Sequence, residues 1–484
     1  AAVCSALVLA CLPPQAAPTD EGRPDAESES ESSSSESEAG SSEAESESGP
    51  TPDLPNPERP EFASPAEAID LDPDPDVVRV QLVAAPYEYE IDGESISGYA
   101  YNEQVPGPTI RAKRGDTVII DFVNELGMGS TIHWHGLHVP WEMDGVTWMG
   151  SPIASGESFE YSFTLDQSGT YWYHPHFNTG QQVDLGLYGG FIVEEPDEPE
   201  LDDEIVVFVD GWGEHNAPPG HHEGAIVNWT VNGLADPVYR PAAGTRTRMR
   251  VIDVANAGYV DLEWPEIRRI ASDQGLLPEL DQPESVVLGP GDRVDGELLI
   301  GSNAFDLLNH PYSLFGPGLG EPIRLMSVEP EGEEPAPGPA TWPFEEQAPS
   351  PDPGYADVLY TLMGEPDEGA WSINGEYFPD VTVYSVPLGE EAIIEVRNIS
   401  GSQHPFHLHG YAFEVLSRNG VAPPVAEFED TTNIEIGERM RVRIFANNPG
   451  DWMTHCHILP HHVEHERRFS CPGLTNYVLM IQSI

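Results

Sequence analysis

Basic residues are scarce in this chain of 484 residues. It has 21 arginines and lysines against 83 acidic residues, a formal charge of −62, and Lys113 is its one lysine. Binding to nucleic acid needs a positively charged face, and docking on anionic lipid needs basic clusters. The composition therefore excludes nucleic acid as a partner and argues against electrostatic attachment to a membrane surface.

Cysteines, long apolar runs and helical repeats are also scarce. The four cysteines, Cys4, Cys11, Cys456 and Cys471, are too few and too unevenly spaced for a disulfide framework. The first apolar stretch, AAVCSALVLACLPP, is shorter than the roughly 20 residues that span a bilayer as a helix. No long segment shows the apolar spacing of an amphipathic helix. These absences exclude a disulfide scaffold and a helical bundle.

The first segment, residues 1–17, is typical of the end of a secretory signal peptide. Within it, Val8-Leu9-Ala10-Cys11 resembles a bacterial lipobox, in which Cys11 would be lipidated and would attach the protein to a membrane. The alternative is an ordinary signal peptide with an incidental cysteine. In both cases we expect an exported protein, either a bacterial cell-envelope lipoprotein or a periplasmic or extracellular protein.

Residues 18–76 form an acidic segment rich in Ser, Glu and Pro. It has 19 acidic residues against two arginines, and almost no large apolar residue precedes Leu54. Such a segment buries too little apolar surface to offset the entropy of ordering, and its charges repel one another. We therefore expect a disordered linker. Most of the net charge lies outside it, so the folded part is also acidic.

From Val77 onward, short β-rich runs alternate with Gly and Pro, as in residues 117–123 and 392–397. Many short strands at near-regular spacing are typical of β-sandwiches. The triplets Val231-Asn232-Gly233 and Ile373-Asn374-Gly375 precede similar runs, which suggests an internal repeat. We predict three domains, at residues 77–197, 198–350 (with a Pro/Glu-rich linker at its end) and 351–484.

Ten of the 17 histidines lie in four short motifs: His133-Trp-His135, His174-Pro-His176, His404-Pro-Phe-His407-Leu-His409, and His455-Cys456-His457 followed by His461. Side chains at i and i+2 of a strand point to the same face. Extended geometry therefore groups eight histidines: His133, His135, His174, His176, His407, His409, His455 and His457. The same alternation leaves His404, Cys456 and His461 for a second site on the other face.

These two groups have different chemistry. Two histidines and one cysteine make the trigonal arrangement of blue copper sites, which transfer electrons. Eight imidazoles without a thiolate suit a cluster of several copper ions that binds and reduces dioxygen. Zinc is the competing metal, but a structural zinc site needs only four ligands. The pattern therefore favours copper.

The four motifs resemble those of the multicopper oxidases, a laccase-like family. The resemblance covers roughly residues 85–484 and includes segments 104–112, 230–233 and 373–375. It implies an all-β fold of three cupredoxin-like Greek-key β-sandwich domains, here preceded by the disordered acidic leader.

The resemblance also implies four copper ions and their ligands. His404, Cys456 and His461 would hold the type 1 copper, in the third domain, which accepts electrons from the substrate. His133 and His407 would hold the type 2 copper. The type 3 pair would be held by His135, His174, His176, His409, His455 and His457. Because Cys456 lies between two cluster histidines, electrons could pass from one site to the other along short covalent routes.

Asp144 is the candidate proton donor. It lies eleven residues after His133, where members of the family often keep an acid near the type 2 copper. A carboxylate there could relay protons to oxygen as a general acid. The alternative is an Asp-Gly turn without a chemical role.

The sequence departs from the family after Cys456. The family commonly has a methionine about ten residues later as a weak axial ligand, and this chain has Glu466 in that region. Either Glu466 lies near the copper, or residues 462–472 are an inserted loop and Leu474 occupies the axial position. We favour the loop, in which Cys471 is a small loop residue.

We therefore predict a copper-dependent oxidoreductase that couples four one-electron oxidations to the reduction of O2 to water. Its reducing substrate would be a small phenol, an aromatic amine or a low-valent metal ion. The alternatives are an exported copper-sequestering protein with impaired turnover and an enzyme similar to copper nitrite reductases. Membrane attachment would involve only Cys11, and we expect a monomer.

Overall fold

The computed structural model describes most of the chain after the acidic leader. The described residues are 59–91, 93–146, 151–213, 226–345, 347–365, 370–376, 381–459 and 478–483. The predictions for residues 1–17, and those for 18–76 up to residue 58, lie outside them. No helix in the described part of the chain is long and apolar enough to cross a membrane.

The first domain is a sandwich of two four-stranded sheets. Its strands are β1 (Val77–Ile91), β2 (Glu94–Tyr101), β3 (Gly107–Lys113), β4 (Thr117–Asn124), β5 (His133–His135), β6 (Ser158–Thr164), β7 (Gly169–His174) and β8 (Gly189–Glu194). The sheets have the orders β2-β1-β4-β6 and β3-β8-β7-β5. A 3₁₀ turn, Trp141–Met143, and a short helix α1, Thr179–Asp184, lie in the connections. Between the sheets, Val80, Phe122 and Trp134 are buried in one apolar core.

The middle domain has sheets of six and five strands and a small two-stranded hairpin. The strands are β9 (Asp203–Gly213), β10 (Ile226–Val231), β11 (Val238–Tyr239), β12 (Arg246–Asp253), β13 (Val260–Glu263), β14 (Arg269–Ser272), β15 (Gly275–Asp281), β16 (Val286–Leu288), β17 (Arg293–Leu299), β18 (Phe305–His310), β19 (Tyr312–Ser313), β20 (Gly316–Pro317) and β21 (Ile323–Val328). The large sheets have the orders β10-β9-β12-β17-β14-β15 and β11-β21-β18-β13-β16.

The third domain repeats this plan with sheets of six and five strands. The strands are β22 (Val358–Glu365), β23 (Ala370–Ile373), β24 (Val383–Val386), β25 (Glu391–Asn398), β26 (His404–Leu408), β27 (Phe413–Arg418), β28 (Phe428–Glu429), β29 (Thr431–Ile434), β30 (Arg439–Phe445), β31 (Gly450–Cys456) and β32 (Val478–Ser483). The orders are β23-β22-β25-β30-β27-β28 and β24-β32-β31-β26-β29. The predicted boundaries near 198 and 350 stay predictions. The strands of the first domain end before 198, those of the middle domain lie between 198 and 350, and those of the third domain begin after 350.

The internal repeat is visible in the backbone. In each domain the first strand pairs antiparallel with the second and parallel with the fourth. An asparagine with positive φ follows the second strand each time: Asn102, Asn232 and Asn374. The side-chain oxygen of each asparagine accepts a hydrogen bond from a main-chain N–H of the first strand. Its side-chain nitrogen donates to the main-chain carbonyl of the residue two positions earlier in that same strand. The sequence showed this repeat in two domains only, because Glu103 replaces the glycine in the first.

The disorder predicted for residues 18–76 is wrong for residues 59–76, which are ordered. Phe62 donates its N–H to the Val238 carbonyl at 2.8 Å, and its ring packs on the apolar core of the middle domain. Further along, the segment pairs with the first domain at Thr109. Its polar composition was misleading because the open edges of other sheets supply its hydrogen-bond partners.

Candidate metal centre

Strand pairing brings the histidine motifs together two by two. Strands β5 and β7 place His133 opposite His174, and β26 and β31 place His407 opposite His455. Because side chains alternate along a strand, His135, His176, His409 and His457 are expected on the same side as the histidine two residues before each of them. The first and third domains therefore each present a cluster of imidazoles.

The two clusters meet in one buried site. Its eight histidines are at most 4% exposed, and their nitrogens form three groups whose members lie within 4.8 Å of one another. The groups are His133, His135 and His407; His135, His174 and His457; and His176, His409 and His455. The structure thus brings together all eight histidines that the strand alternation grouped.

Hydrogen bonds on the outer side of the rings decide which nitrogen faces the site. Nδ1 of His133 donates to the main-chain carbonyl of Asp144 at 2.9 Å, and Nδ1 of His455 donates to the carbonyl of Cys456 at 2.9 Å. A carbonyl oxygen only accepts, so Nδ1 carries the proton in both rings. Nε2, the nitrogen without the proton, then faces the inner side, as it does in histidines that bind metals.

The unpaired inner nitrogens fit bound metal ions. Among the described residues, Nε2 of His133, Nε2 of His407 and both nitrogens of His457 have no hydrogen-bond partner. Burial lowers the pKa of His409 and of His457 well below 6.5, and the neighbouring histidines lower it further. These rings are therefore neutral. An unpaired buried polar atom costs about 1–3 kcal/mol. Several neutral imidazoles facing one volume match the ligand preference of copper.

A second candidate site lies on the other face of the same strands. Nδ1 of His404 is 3.4 Å from Sγ of Cys456, and its Nε2 is 2.7 Å from Oγ of Ser400. His404 is fully buried, and Cys456 belongs to the apolar core of the third domain. A thiolate and an imidazole in a dry pocket suit a soft metal such as copper.

The remaining predictions for this second site lie outside the described residues. They concern His461 as the third ligand, the choice between Glu466 and Leu474 at the axial position, and the place of Cys471. They stay predictions.

Asp144 lies against the eight-histidine site and is fully buried. Its Oδ2 is 2.9 Å from Nδ1 of His409, and its Oδ1 is 3.2 Å from Nδ1 of His133. The next residue, Gly145, has a φ of +78°, and a Cβ there would overlap the Ile132 carbonyl. The Asp-Gly turn therefore places the carboxylate between a histidine of the first domain and one of the third.

Asp430 and Thr431 also contact the site, and the sequence reading missed both. Nε2 of His135 is 3.1 Å from Oδ1 of Asp430 and 2.8 Å from Oγ1 of Thr431. Nδ1 of His407 donates to the main-chain carbonyl of Asp430 at 3.0 Å. The one local signal in the sequence was an acidic residue at the start of a buried strand. Such a residue does not indicate which side chain it will contact.

The third missed residue is Arg293, which comes from the middle domain. Its Nη1 and Nη2 donate to Oδ1 and Oδ2 of Asp430 at 2.8 and 2.5 Å. Burial by itself raises the pKa of Asp430, but the charge and hydrogen bonds of Arg293 outweigh it, and the pKa lies well below 3.8. Asp430 is therefore an anion beside the histidines.

A cleft of about 470 Å³ between the middle and third domains reaches this ion pair. Its lining includes the exposed Asn419 and the buried Asp273, Arg293 and Thr431. Burial raises the pKa of Asp273 well above 3.8 and that of Asp292, also in the lining, to about 7. Buried acidic groups with raised pKa values thus line this cleft.

Known proteins with the same organisation are copper enzymes. Two multicopper oxidase domain families match the chain, at residues 84–198 and 351–467. These ranges contain the histidine motifs of the first and third domains, from His133 to His461.

Individual relatives give the same result over most of the chain. The multicopper oxidase MmcO of Mycobacterium tuberculosis is 27% identical, over 80% of this chain and 85% of its own. Laccase-1 of Fomitopsis schrenkii is 27% identical, over 77% of this chain and 82% of its own. The crystal structure of a multicopper oxidase from Pseudomonas thermotolerans is 28% identical with a TM-score of 0.71, and the match covers 84% of this chain and 99% of that one.

These findings confirm the predicted fold, three cupredoxin-like β-sandwich domains, and the predicted copper cofactor. They also confirm the predicted class of reaction, since the relatives are multicopper oxidases and laccases. The chain belongs to the multicopper oxidase family, whose members are copper-dependent oxidoreductases with O2 as electron acceptor.

Proposed function

We propose that the eight-histidine site holds three of the four copper ions. His133 and His407 would bind the type 2 ion, and the type 3 pair would be bound by His135, His174, His176, His409, His455 and His457. The observation that carries this proposal is the orientation of the rings. Nδ1 of His133, His407 and His455 is hydrogen-bonded outward to a main-chain carbonyl, and the nitrogens of the eight rings form three close groups.

His404, Cys456 and His461 would bind the fourth ion, of type 1. Support comes from the 3.4 Å contact between Nδ1 of His404 and Sγ of Cys456. Cys456 is covalently adjacent to His455 and His457, which point to the other face of the strand. The peptide chain therefore gives a short route from the site that takes electrons to the site that reduces oxygen.

Copper supplies the electron transfer and the oxygen chemistry, and the residues of this chain supply its surroundings. The histidines are held by carbonyls and carboxylates, and their burial keeps bulk water away. Asp144 is the proposed general acid, because its carboxylate lies between His133 and His409. A general acid in hydrogen-bond reach of a reacting oxygen contributes about 10²–10⁴ in rate.

The reducing substrate is proposed to be a small phenol, an aromatic amine or a low-valent metal ion. The laccases among the relatives support this range. The acidity of the folded part, without the leader, would also raise the local concentration of cationic reductants, an effect that salt screens. A simpler role for the charge is solubility in a salty or extracellular medium.

Oxygen uptake by the copper-loaded protein tests this function. We expect uptake with a phenol or with ferrous ion, an intense blue colour, and close to four copper ions per chain. A blue protein without oxygen uptake would instead support the copper-sequestering alternative. Cys456→Ser should remove both the colour and the turnover, whereas Cys471→Ser, the matched control, should keep both. Turnover that survives Cys456→Ser would refute the proposed electron route.

We also propose that the protein is exported and attached to the membrane through a lipid on Cys11. The lipobox-like sequence before Cys11 supports this. Metabolic labelling with a radioactive fatty acid should label the parent protein and the control Cys4→Ser, but not Cys11→Ser. Labelling that persists in Cys11→Ser would contradict the proposal.

A further inference from the structure

Arg293 joins all three domains at the edge of the eight-histidine site. It is the first residue of β17, and its side chain is 0% exposed. Its Nε donates to the Thr170 carbonyl of the first domain at 3.0 Å, and its Nη1 donates to the Gly291 carbonyl of the middle domain at 3.1 Å. The guanidinium also binds Asp430 of the third domain in a forked arrangement.

The partner of Arg293 is the residue that holds two site histidines. Through its carboxylate Asp430 contacts Nε2 of His135, and through its carbonyl it accepts from Nδ1 of His407. With Nε2 of His135 engaged on the outer side, Nδ1 of that ring remains for a metal, and it has no hydrogen-bond partner among the described residues. A forked pair fixes the carboxylate in position and direction, which a point charge does not.

The backbone beside the first histidine motif is fitted to this ion pair. Gly136 follows His135 with a φ of +84°. A Cβ at Gly136 would lie 2.5 Å from Nη2 of Arg293 and 2.6 Å from Oδ2 of Asp430. The ion pair thus packs directly against the main chain that carries His135.

Arg248 is a buried arginine of the same domain without these contacts. It lies on β12, next to β17, and its hydrogen bonds among the described residues go to Asp295 and Glu198. Both arginines are buried and ion-paired, but the partners of Arg248 lie within the middle domain, whereas Arg293 also reaches the first and third domains. Only the partner of Arg293 touches histidines of the site, so the two residues separate a structural role from a role in the metal site.

We infer that Arg293 is a positioning residue for the trinuclear site: through Asp430 it sets the orientation of His135 and His407. The inference rests on the proposed ligand set. It gives the middle domain, which contributes no histidine to that set, a defined part in building the site. Outer partners of metal-binding histidines typically change metal affinity or activity by about 10–100-fold when they are replaced.

The experiment compares Arg293→Lys with Arg248→Lys in the full chain loaded with copper. For Arg293→Lys we expect the blue absorption of the type 1 site to remain, the copper content to fall from near four toward three, and the paramagnetic type 2 signal to weaken or change. Turnover should fall about 10–100-fold. For Arg248→Lys we expect the copper content and the type 2 signal of the parent protein.

Asp430→Asn tests the same link and covers the case in which Arg293→Lys does not fold. If Arg293 acts through Asp430, Asp430→Asn should change the type 2 signal, and the double variant should lose no more copper than either single variant. An unchanged type 2 signal in Arg293→Lys or in Asp430→Asn overturns the inference, and so do additive losses. A parent protein without a type 2 signal would instead refute the proposed ligand set.

Discussion

Asp144 and Asp430 contact the eight-histidine site in the same way. The main-chain carbonyl of each accepts from Nδ1 of a histidine in its own domain, His133 for Asp144 and His407 for Asp430. The carboxylate of each reaches a histidine of the other domain. Asp144 reaches His409 at 2.9 Å, and Asp430 reaches His135 at 3.1 Å. Each acid therefore joins the first domain to the third.

The difference between the two acids is Arg293. The carboxylate of Asp430 is bound by the guanidinium and by Nε2 of Gln274, at 2.5 Å. Oδ1 of Asp144 has no hydrogen-bond partner among the described residues beyond its 3.2 Å approach to His133. The charge and direction of the Asp430 carboxylate are thus fixed, whereas Asp144 has one carboxylate oxygen that no described residue holds by a hydrogen bond. The same residue type, equally buried, is held by an arginine in one place and is the proposed general acid in the other.

Asp144→Asn should give the largest effect on this comparison. The amide oxygen can still accept from His409, but the side chain no longer supplies an acidic proton. We expect kcat to fall about 10²–10⁴-fold. Steady-state oxygen uptake measures this fall.

The rate at which substrate reduces the type 1 site without oxygen is the control for Asp144→Asn and should stay unchanged. A normal kcat in this variant would show that Asp144 is only a turn residue.

Asp430→Ala should mainly cost stability. It removes the forked partner of the buried Arg293 guanidinium, which keeps only the 3.2 Å approach of Asp273 Oδ2, and breaking a buried ion pair costs about 3–5 kcal/mol. Calorimetry of the metal-free protein should show a clear fall in Tm. Because an apolar pair can replace a buried ion pair at little cost, Arg293→Met combined with Asp430→Leu should recover much of the loss. No recovery would mean that the loss comes from the histidines and not from the broken ion pair between Arg293 and Asp430.

Gly136→Ala should have a smaller effect, which tests how tightly the ion pair packs. The new Cβ needs a positive φ and also meets Arg293 and Asp430. The matched control is Gly127→Ala, whose φ is +80° and whose Cβ would meet nothing within 4 Å. Backbone strain of this kind costs about 1–3 kcal/mol in both variants. Chemical unfolding should show a greater loss for Gly136→Ala, and equal losses would contradict the packing argument.

Asp210→Asn extends the comparison of Asp144 and Asp430 to a third buried carboxyl, which has no arginine partner among the described residues. Asp210 accepts from the Tyr188 hydroxyl at 2.8 Å, and burial raises its pKa to about 8. The folded state therefore binds a proton that the unfolded chain releases near pH 4, and stability falls as pH rises from about 4 to 8. The asparagine variant lacks this loss. The Tm of Asp210→Asn relative to that of the parent protein should rise between pH 5 and pH 8. A Tm difference that does not change with pH would contradict the raised pKa of Asp210.

The sequence by itself determined the all-β class and the division of the histidines into two sites. It could do so because strand alternation is local, so His133 and His135 must share a face and Cys456 must point away from His455. The prediction of disorder was wrong for residues 59–76, and the sequence did not reveal the repeated asparagine at Asn102. Composition and motif spacing do not show which sheet edge or turn will supply a hydrogen-bond partner.

Only the tertiary structure decided which nitrogen of each histidine faces the site and which acid is held by an arginine. Arg293 and Asp430 are 137 residues apart, and Asp144 and His409 are 265 apart. No local period connects such positions, since their contacts form only when separate domains close on one another. Burial then removes water, so each carboxylate takes its charge and its role from the few groups that the fold places within hydrogen-bond distance.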